Sequence, residues 1–221
     1  MNKAVCLLSG GQDSTTTLFW ALSRFDSVHA LILDYGQRHQ IEIESAKKIA
    51  SLTNTPYKVV KIPFFQELTV SALTGEGDVN TGHPLNPSLP ASFVPGRNLI
   101  FLTVAAMYAH SLGALDICTG VCETDYSGYP DCRLSTMKAL ESAIRLGMEF
   151  SVKINTPLMD LNKAETVELA ASLPGCLEAL KFSHSCYNGQ YPPCGGCSSC
   201  KLRANGFREA GIPDPIFSRD E

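Results

Sequence analysis

The sequence "LLSGGQDSTT", from Leu7 to Thr16, places two glycines between an apolar run and a series of hydroxyl side chains. We interpret it as the junction of a first β-strand with a first α-helix. Gly10 and Gly11 allow a sharp turn and a close approach of a ligand to the backbone. The N–H groups at the start of such a helix favour phosphate. A plain glycine turn with Asp or Ser as helix cap is the alternative.

The residues around this turn refine the prediction. Ser9, Ser14 and Thr15 add hydroxyl donors, but no Gly-Lys-Ser/Thr follows, so the lysine of a Walker-type loop is missing. Asp13 would repel phosphate directly. We therefore expect Asp13 either to cap the helix or to meet a magnesium ion bound to the phosphates.

Apolar runs alternate with helical segments along the chain. The predicted strands are Lys3–Ser9, Val28–Tyr35, Tyr57–Ile62, Ala114–Gly120 and Val152–Pro157. The predicted helices are Ser14–Ser23, Ile41–Thr53, Asn98–Leu112, Ser135–Gly147 and Lys163–Ser172. Continuous apolar runs are typical of strands buried on both faces of a parallel sheet. This rhythm predicts an α/β fold, a doubly wound, mainly parallel five-stranded sheet with helices on both faces, and a ligand site beyond the carboxyl ends of the strands.

Two segments carry local signals of their own. Asn162 and Glu165 have the spacing of a capping box and predict the start of the last helix. The segment Thr74–Gly96 is rich in Gly, Pro and Asn and is not expected to hold a long regular element. A loop of this length is usually a functional lid or disordered.

Composition limits the possible classes. The 221 residues, 44% hydrophobic and 18% charged, predict one domain or one domain with a small appendage, which we divide as 1–180 and 181–221. A net charge of −4 argues against a large nonspecific nucleic-acid interface. No apolar stretch approaches the roughly 20 residues that span a bilayer. The N-terminal residues do not show the long apolar core and small-residue cleavage site that are typical of a signal peptide. We expect a cytoplasmic protein that binds neither membrane nor nucleic acid.

The C-terminal zone contains a cysteine array of the form C-x7-C-x2-C-x2-C. Its members are Cys186, Cys194, Cys197 and Cys200. Four thiolates satisfy tetrahedral Zn²⁺ and leave no open position, so we predict a structural zinc site. An iron–sulfur cluster and unligated thiols are the alternatives, although "KLRA" follows where a ferredoxin-type run would continue.

Polar residues after the fourth strand predict a recognition loop. In "GVCETDYSGYPDCR" (Gly120–Arg133), the carboxylates of Glu123, Asp125 and Asp131 lie among tyrosines. Such a loop suits a flat heterocycle at the expected ligand face. An ordinary surface turn, with Asp131 as a helix cap, is the alternative.

Two basic residues complete the candidate site. Arg97, in "FVPGRN", begins a predicted helix and is placed to clamp a phosphate or carboxylate in fork geometry. Lys163 follows the last strand and is placed to reach phosphates. Either residue is alternatively a solvated side chain at a helix start.

These motifs, in this order, resemble the 7-cyano-7-deazaguanine synthase family, which belongs to the N-type ATP pyrophosphatases with their adenine nucleotide alpha hydrolase-like fold. The motifs that carry the resemblance are "SGGQDSTT", "DYGQRH", "FVPGRN", "GVCETDYSGYPDCR", "TPLMDLNKAET" and "CYNGQYPPCGGCSSCKLRANGF". The resemblance implies a C–N bond-forming ligase of queuosine biosynthesis that converts 7-carboxy-7-deazaguanine, ammonia and ATP into the nitrile. ATP would be cleaved between its α- and β-phosphates, with Mg²⁺ as cofactor, and the acid and then its amide would be adenylylated.

The resemblance also assigns residues. The implied catalytic residues are Ser9, Asp13, Ser14, Arg97, Glu123, Asp125, Asp131 and Lys163. The implied ATP-binding residues are Leu8, Ser9, Gly10, Gly11, Gln12, Asp13, Ser14, Thr15, Thr16, Thr17 and Leu18. Residues 1–180 would form the ATP pyrophosphatase (PP-loop) domain, structural zinc would occupy the four cysteines, and the protein would be a homodimer. A base is needed for ammonia, for which Glu123, Asp125 and Asp131 are equal candidates.

Two rival functions share some of these motifs. A tRNA-modifying adenylyltransferase, either a thiolase or a ligase, would use the same loop but predicts a basic face, and a thiolase would add sulfur-carrying cysteines such as Cys122 and Cys132. A zinc module that only binds partners predicts no ATP turnover.

Overall fold

The fold is built on one parallel sheet. The computed structural model describes residues 1–37, 39–75, 77–79, 81–123 and 128–218. Five strands form this sheet in the order β3-β2-β1-β6-β7, with every neighbouring pair parallel. The strands are β1 (Lys3–Leu7), β2 (Ser27–Asp34), β3 (Tyr57–Lys61), β6 (Asp116–Cys118) and β7 (Lys153–Asn155). The predicted fold class is therefore confirmed.

Helices connect the strands and extend the C-terminal segment. They are α1 (Gln12–Leu22), α2 (Ile41–Leu52), α3 (Phe65–Leu68), α4 (Arg97–Leu112), α5 (Leu134–Met148), α6 (Lys163–Ser172), α7 (Cys176–Leu180) and α8 (Ser198–Glu209). The sequence did not predict α3, α7 or α8. The capping box of α6 is confirmed, because the Asn162 side chain accepts from Glu165 N–H while the Glu165 side chain accepts from Asn162 N–H. Among the described residues, no helix is long and apolar enough to cross a membrane.

Alternation along β1 explains the two layers of helices. Val5 is fully buried in a core cluster that includes Leu102 of α4 and Met137 of α5. Ala4 and Cys6 are buried in a separate cluster with residues of α1 and α2. Successive side chains of a strand point to opposite faces, so one central strand packs against helices on both sides. The core therefore consists of two layers divided by the sheet.

The third strand departs from the sequence-based expectation. The expectation that its apolar run is buried on both faces is wrong for β3, where Tyr57 is 43% exposed and Val59 is 37% exposed. The reason is topological, because β3 lies at the edge of the sheet and pairs only with β2. An apolar sequence does not distinguish an edge strand from a central one.

The segment 74–96 folds as a short antiparallel hairpin. Its strands are β4 (Gly82–His83) and β5 (Asn86–Pro90), so the described residues of the segment contain no long regular element, as predicted. Val79, Ala91 and Val94 are buried in the same cluster as α4. The hairpin is thereby packed onto the α4 side of the sheet.

Candidate active site

The glycine turn lies at the point where the strand order of the sheet reverses. The chain passes from β1 to β2 on one side and reaches β6 on the other, so the carboxyl ends of β1 and β6 flank the switch point at which such sheets bind ligands. Gly11 is the N-cap of α1 and Gly10 has a φ of +85°. A Cβ at Gly120, which follows β6, would lie 2.9 Å from the backbone of Asp13. The two loops are therefore in direct contact.

Neighbouring segments hold the turn from behind. A Cβ at Gly10 would lie 2.7 Å from the backbone nitrogen of Ala46 in α2, so no larger residue fits there. His184 donates its N–H to the Gly10 carbonyl at 2.7 Å. Because His184 precedes the cysteine array, the C-terminal segment contacts the turn directly.

Hydrogen bonds among hydroxyls order the loop. Ser14 Oγ donates to the Gly11 carbonyl at 3.1 Å and accepts from Ser9 Oγ at 3.0 Å. Thr15 also donates to the Gly11 carbonyl, at 2.8 Å. Ser9 and Ser14 line the cavity described next, whereas Thr15 does not. The Thr15 hydroxyl thus stabilises the first turn of α1.

A cavity of about 280 Å³ opens beside this loop. Six of the predicted ATP-binding residues line it: Leu8, Ser9, Gly11, Gln12, Asp13 and Ser14. The other five, Gly10, Thr15, Thr16, Thr17 and Leu18, lie behind the lining. The Gln12 amide nitrogen is buried with no hydrogen-bond partner among the described residues, so it is a donor available to a ligand.

Asp13 and Lys163 form an ion pair at this cavity. The Lys163 Nζ lies 2.7 and 2.9 Å from the two carboxylate oxygens of Asp13, and both side chains are partly buried. Gly11, not Asp13, is the N-cap of α1, and no side chain caps it, so the expectation of Asp13 as a cap is wrong. Gly206 of α8 packs against Lys163, where a Cβ would come within 2.9 Å of the Lys163 carbonyl oxygen. Helix α8 therefore packs against the backbone of Lys163 and helps to position its side chain.

Arg97 lies across the cavity among aromatic rings. Its guanidinium carbon is 5.9 Å from the ring centroid of Tyr35 and 5.6 Å from that of Tyr129, within cation–π range. Tyr129 Oη is 2.7 Å from Ser92 Oγ. Burial raises the pKa of Tyr35 to about 12, although Arg97 opposes the shift. Arg97 is therefore a positioned cation in the cavity wall, and the alternative of a solvated side chain is wrong.

Sequence reasoning missed one carboxylate of the cavity, that of Glu42. Glu42 lies in the first turn of α2 and lines the cavity together with Arg97. Burial raises its pKa to about 7, against the opposing effect of Arg97. Its position could have indicated this, because Glu42 lies in the first turn of the helix that follows the second strand, near the carboxyl end of the sheet.

The three predicted carboxylates of the loop after β6 are placed differently. Glu123 accepts a hydrogen bond at 2.9 Å from the N–H of Leu134, the first residue of α5. Asp131 accepts one at 3.0 Å from the N–H of Asn98 in the first turn of α4. Neither carboxylate lines the cavity. Asp125 lies outside the described residues.

Two cysteines of this loop region line the cavity. Cys122 and Cys132 are both buried. Cys122 donates its S–H to the Leu161 carbonyl at 3.1 Å, and Asn98 donates from its side chain to Cys132 Sγ at 3.3 Å. These contacts give both thiols a packing role within the wall.

The four C-terminal cysteines form a compact cluster. The Sγ atoms of Cys186, Cys194, Cys197 and Cys200 all lie within 4.8 Å of one another. The sulfur–sulfur edge of a tetrahedron with metal–sulfur bonds of about 2.3 Å is roughly 3.8 Å, and Cys194 and Cys200 are separated by 3.8 Å. The donor set therefore fits a tetrahedral metal such as zinc.

Backbone amides prepare this cluster for thiolates. Cys194 donates its N–H to Cys186 Sγ at 3.5 Å, and Cys197 donates its N–H to Cys194 Sγ at 3.4 Å. Burial raises the pKa of Cys194, but hydrogen bonds from Cys197 and Gly196 outweigh it and lower the value to about 6. Metal ligation requires the thiolate form, which these hydrogen bonds favour at Cys194. Burial raises the pKa of Cys197 and of Cys200, so their deprotonation is coupled to metal binding.

Comparison with known proteins gave matches over nearly the whole chain. The family model described as queuosine biosynthesis protein QueC matches residues 3–211. A 7-cyano-7-deazaguanine synthase of Chromobacterium violaceum is 55% identical over 220 residues, covering 98% of this chain and 94% of that protein. One of Laribacter hongkongensis is 53% identical over 217 residues, with the same coverages. Among solved structures, a 4-thiouridine synthetase–RNA complex with bound ATP matches with a TM-score of 0.55 and 19% identity over 95% of this chain and 50% of that one, a likeness of fold alone.

Proposed function

The chain belongs to the QueC family of queuosine biosynthesis proteins, and from this premise we propose that it is a C–N bond-forming ligase that makes 7-cyano-7-deazaguanine. Its substrates in this proposal are 7-carboxy-7-deazaguanine, ammonia and ATP. The observation that carries the proposal is the 53–55% identity to synthases of that name along nearly the full chain. The membership also confirms the resemblance inferred from the sequence motifs.

The glycine turn is proposed to bind the β- and γ-phosphates of ATP. The N–H groups at the start of α1 and the Ser9 and Ser14 hydroxyls surround the expected phosphate position, where the helix dipole favours negative charge. Lys163 adds a cation at the same wall, and Asp13 beside it is proposed to meet Mg²⁺ bound to the phosphates. The innermost phosphorus then faces the rest of the cavity, so that a carboxylate oxygen of the substrate attacks it and pyrophosphate leaves.

Arg97 is proposed to hold the carboxylate of the deazaguanine acid. It is a cation that lines the same cavity as the glycine turn, and the rings of Tyr35 and Tyr129 beside it suit a flat heterocycle. Adenylylation turns a poor leaving oxygen into AMP, which ammonia displaces to give the amide. Adenylylation of the amide oxygen by a second ATP and loss of AMP then leave the nitrile, so one cavity serves both halves by proximity.

Zinc is proposed to have a structural role at the four cysteines. With four protein ligands it leaves no position for substrate. It would fix the segment that begins at His184, whose N–H binds the Gly10 carbonyl. We further propose that residues 1–180 form the ATP pyrophosphatase domain and 181–221 the zinc segment, and that the protein acts as a cytoplasmic homodimer.

The test is a product assay with the purified protein. Incubation with ATP, ammonium and 7-carboxy-7-deazaguanine is expected to give the nitrile with two AMP per molecule. Ser14→Ala is expected to abolish turnover while leaving zinc content unchanged, because Ser14 lines the cavity far along the chain from the cysteines. ADP in place of AMP would contradict the role of the loop, and modification of tRNA in place of the small acid would favour the adenylyltransferase alternative.

A further inference from the structure

Glu42 occupies a distinctive place in the cavity wall. Its backbone lies directly behind the phosphate loop, since a Cβ at Gly10 would collide with the Glu42 carbonyl oxygen. Glu42 lines the same cavity as Ser9, Ser14 and Arg97, and its carboxylate interacts electrostatically with Arg97 of that wall. The carboxylate thus belongs to the cavity in which the proposed ATP and acid sites meet.

Among the described residues, the Glu42 carboxylate makes no close polar contact. No hydrogen bond or ion pair within 4 Å joins it to another described residue. Glu44, in the same helical turn, is by contrast exposed and paired with Lys47 at 2.7 Å. Burying a carboxylate without a partner is costly, so an unengaged carboxylate in a cavity is characteristic of a functional group.

The charges around Glu42 set its proton affinity. Arg97 of α4 is the cation that acts on it, while Tyr35 after β2 and Tyr187 of the C-terminal segment are the acids that interact with it. The other titratable or charged groups that line the cavity are Asp13, Cys122, Tyr129, Cys132, Lys163, His184 and Arg203. Desolvation dominates and brings the pKa of Glu42 to about 7, so the group both accepts and releases protons near neutral pH.

The proposed reaction requires such a group at the substrate nitrogen. Ammonia enters with three hydrogens and the nitrile nitrogen keeps none. In the amide half, the C–N bond forms, the C–O bond to AMP breaks and one N–H proton is lost. In the nitrile half, the adenylylated amide loses AMP as C≡N forms, and its two remaining N–H protons leave.

We propose that Glu42 is the general base that removes these protons from nitrogen in both halves, releasing each one to solvent before the next transfer. The inference rests on the proposed function. In that proposal Arg97 holds the acid, so the reacting carbon would lie near Arg97, whose charge acts on Glu42. Glu123 and Asp131, by contrast, accept hydrogen bonds from the N-termini of α5 and α4 and do not line the cavity.

The experiment separates proton transfer from adenylylation. ATP–pyrophosphate exchange that depends on the acid, without ammonia, reports adenylylation alone. Amide formation, scored per concentration of free NH₃, and dehydration of the supplied amide report the two proton-removing halves. For Glu42→Gln we expect exchange within a few-fold of the wild type, and both later rates lowered by about 10²- to 10⁴-fold. Glu44→Gln is the matched control and should leave all three rates unchanged.

The pH profile distinguishes a base from a structural role. Both later rates of the wild-type protein should rise with pH through about 7, the pKa of Glu42, because only the carboxylate accepts protons. In Glu42→Gln the two rates should no longer rise with pH near 7. In Glu42→Asp the rise should remain, with both rates reduced. A wild-type profile flat near neutrality, or loss of the rise in Asp125→Asn but not in Glu42→Gln, overturns the inference. Absence of acid-dependent exchange in the wild type would instead refute the proposed function itself.

Discussion

Replacement of Gly10 by alanine tests how tightly the glycine turn is packed into the fold. The Gly10 φ of +85° lies in the left-handed region, which side chains rarely adopt. A Cβ there would lie 2.7 Å from the Ala46 nitrogen and 3.0 Å from the Ser45 Cβ. The nearest atoms belong to the backbone of α2, so the clash is relieved only if the loop and the helix separate.

The expected loss of stability has two parts. The left-handed conformation costs a residue with a Cβ about 1–2 kcal/mol. Forcing an extra carbon into a packed site costs typically about 1–3 kcal/mol more. The free energy of unfolding should therefore fall by about 2–5 kcal/mol, a large fraction of the roughly 5–15 kcal/mol of a typical domain.

Gly113→Ala is the matched control, measured like Gly10→Ala by urea unfolding. Gly113 ends α4 with a φ of +62°, but nothing lies within 4 Å of a Cβ there, so only the conformational cost of about 1–2 kcal/mol applies. Gly10→Ala should also weaken acid-dependent ATP–pyrophosphate exchange, which Gly113→Ala should leave intact. Equal losses of stability in the two variants, or normal exchange in Gly10→Ala, would refute the reasoning.

Three further predictions concern the C-terminal half. Elemental analysis of the purified protein should find one equivalent of zinc. Cys200→Ser should lose this zinc and should bind ATP more weakly in calorimetry. Unaltered ATP binding by the metal-free variant would argue against the contact between the C-terminal segment and the glycine turn. Asp214→Asn leaves Arg203 buried without its carboxylate, which lies 2.7 Å away, so urea unfolding should show a loss of about 3–5 kcal/mol rather than the small change of a surface pair. Glu165→Ala removes half of the α6 capping box and should lower the free energy of unfolding by about 1 kcal/mol, and no change would mean that the Asn162 cap alone suffices.

Local patterns predicted the sheet and most of its helices. Each strand of the sheet overlaps a segment that the sequence predicted as a strand, and α6 begins at the predicted residue because a capping box is a local signal. Helix α8 was missed because its sequence, "SSCKLRANGFRE", has few apolar residues and an interior glycine, which lowers helix propensity. Tertiary packing explains that glycine, since Gly206 lies against Lys163 of α6. Such a reason cannot be seen within a single segment.

The same distinction applies to the candidate site. The turn between β1 and α1 and the clustering of the four cysteines were predicted because their residues are close along the chain. The geometry of the cluster fits the predicted zinc. Glu42 was missed because its place in the cavity depends on contacts between α2, the loop and Arg97, which are distant in sequence. Glu123 and Asp131 were interpreted as ligand groups from the composition of their loop. Composition does not show that their carboxylates accept hydrogen bonds from backbone N–H groups at the N-termini of α5 and α4.

The conformation of the glycine turn depends on contacts with the C-terminal segment. Arg203 of α8 donates to both carboxylate oxygens of Asp214 and to Ser183 Oγ, the last at 2.7 Å. The buried guanidinium of Arg203 therefore holds the backbone around Ser183 in place. The next residue, His184, donates to the Gly10 carbonyl, and Cys186 of the proposed zinc site follows two positions later. A hydrogen bond held between two ordered partners loses little entropy on ligand binding. The C-terminal segment therefore acts as the outer wall that preorganises the turn, and a variant that loosens it should weaken nucleotide binding without touching any residue of the turn.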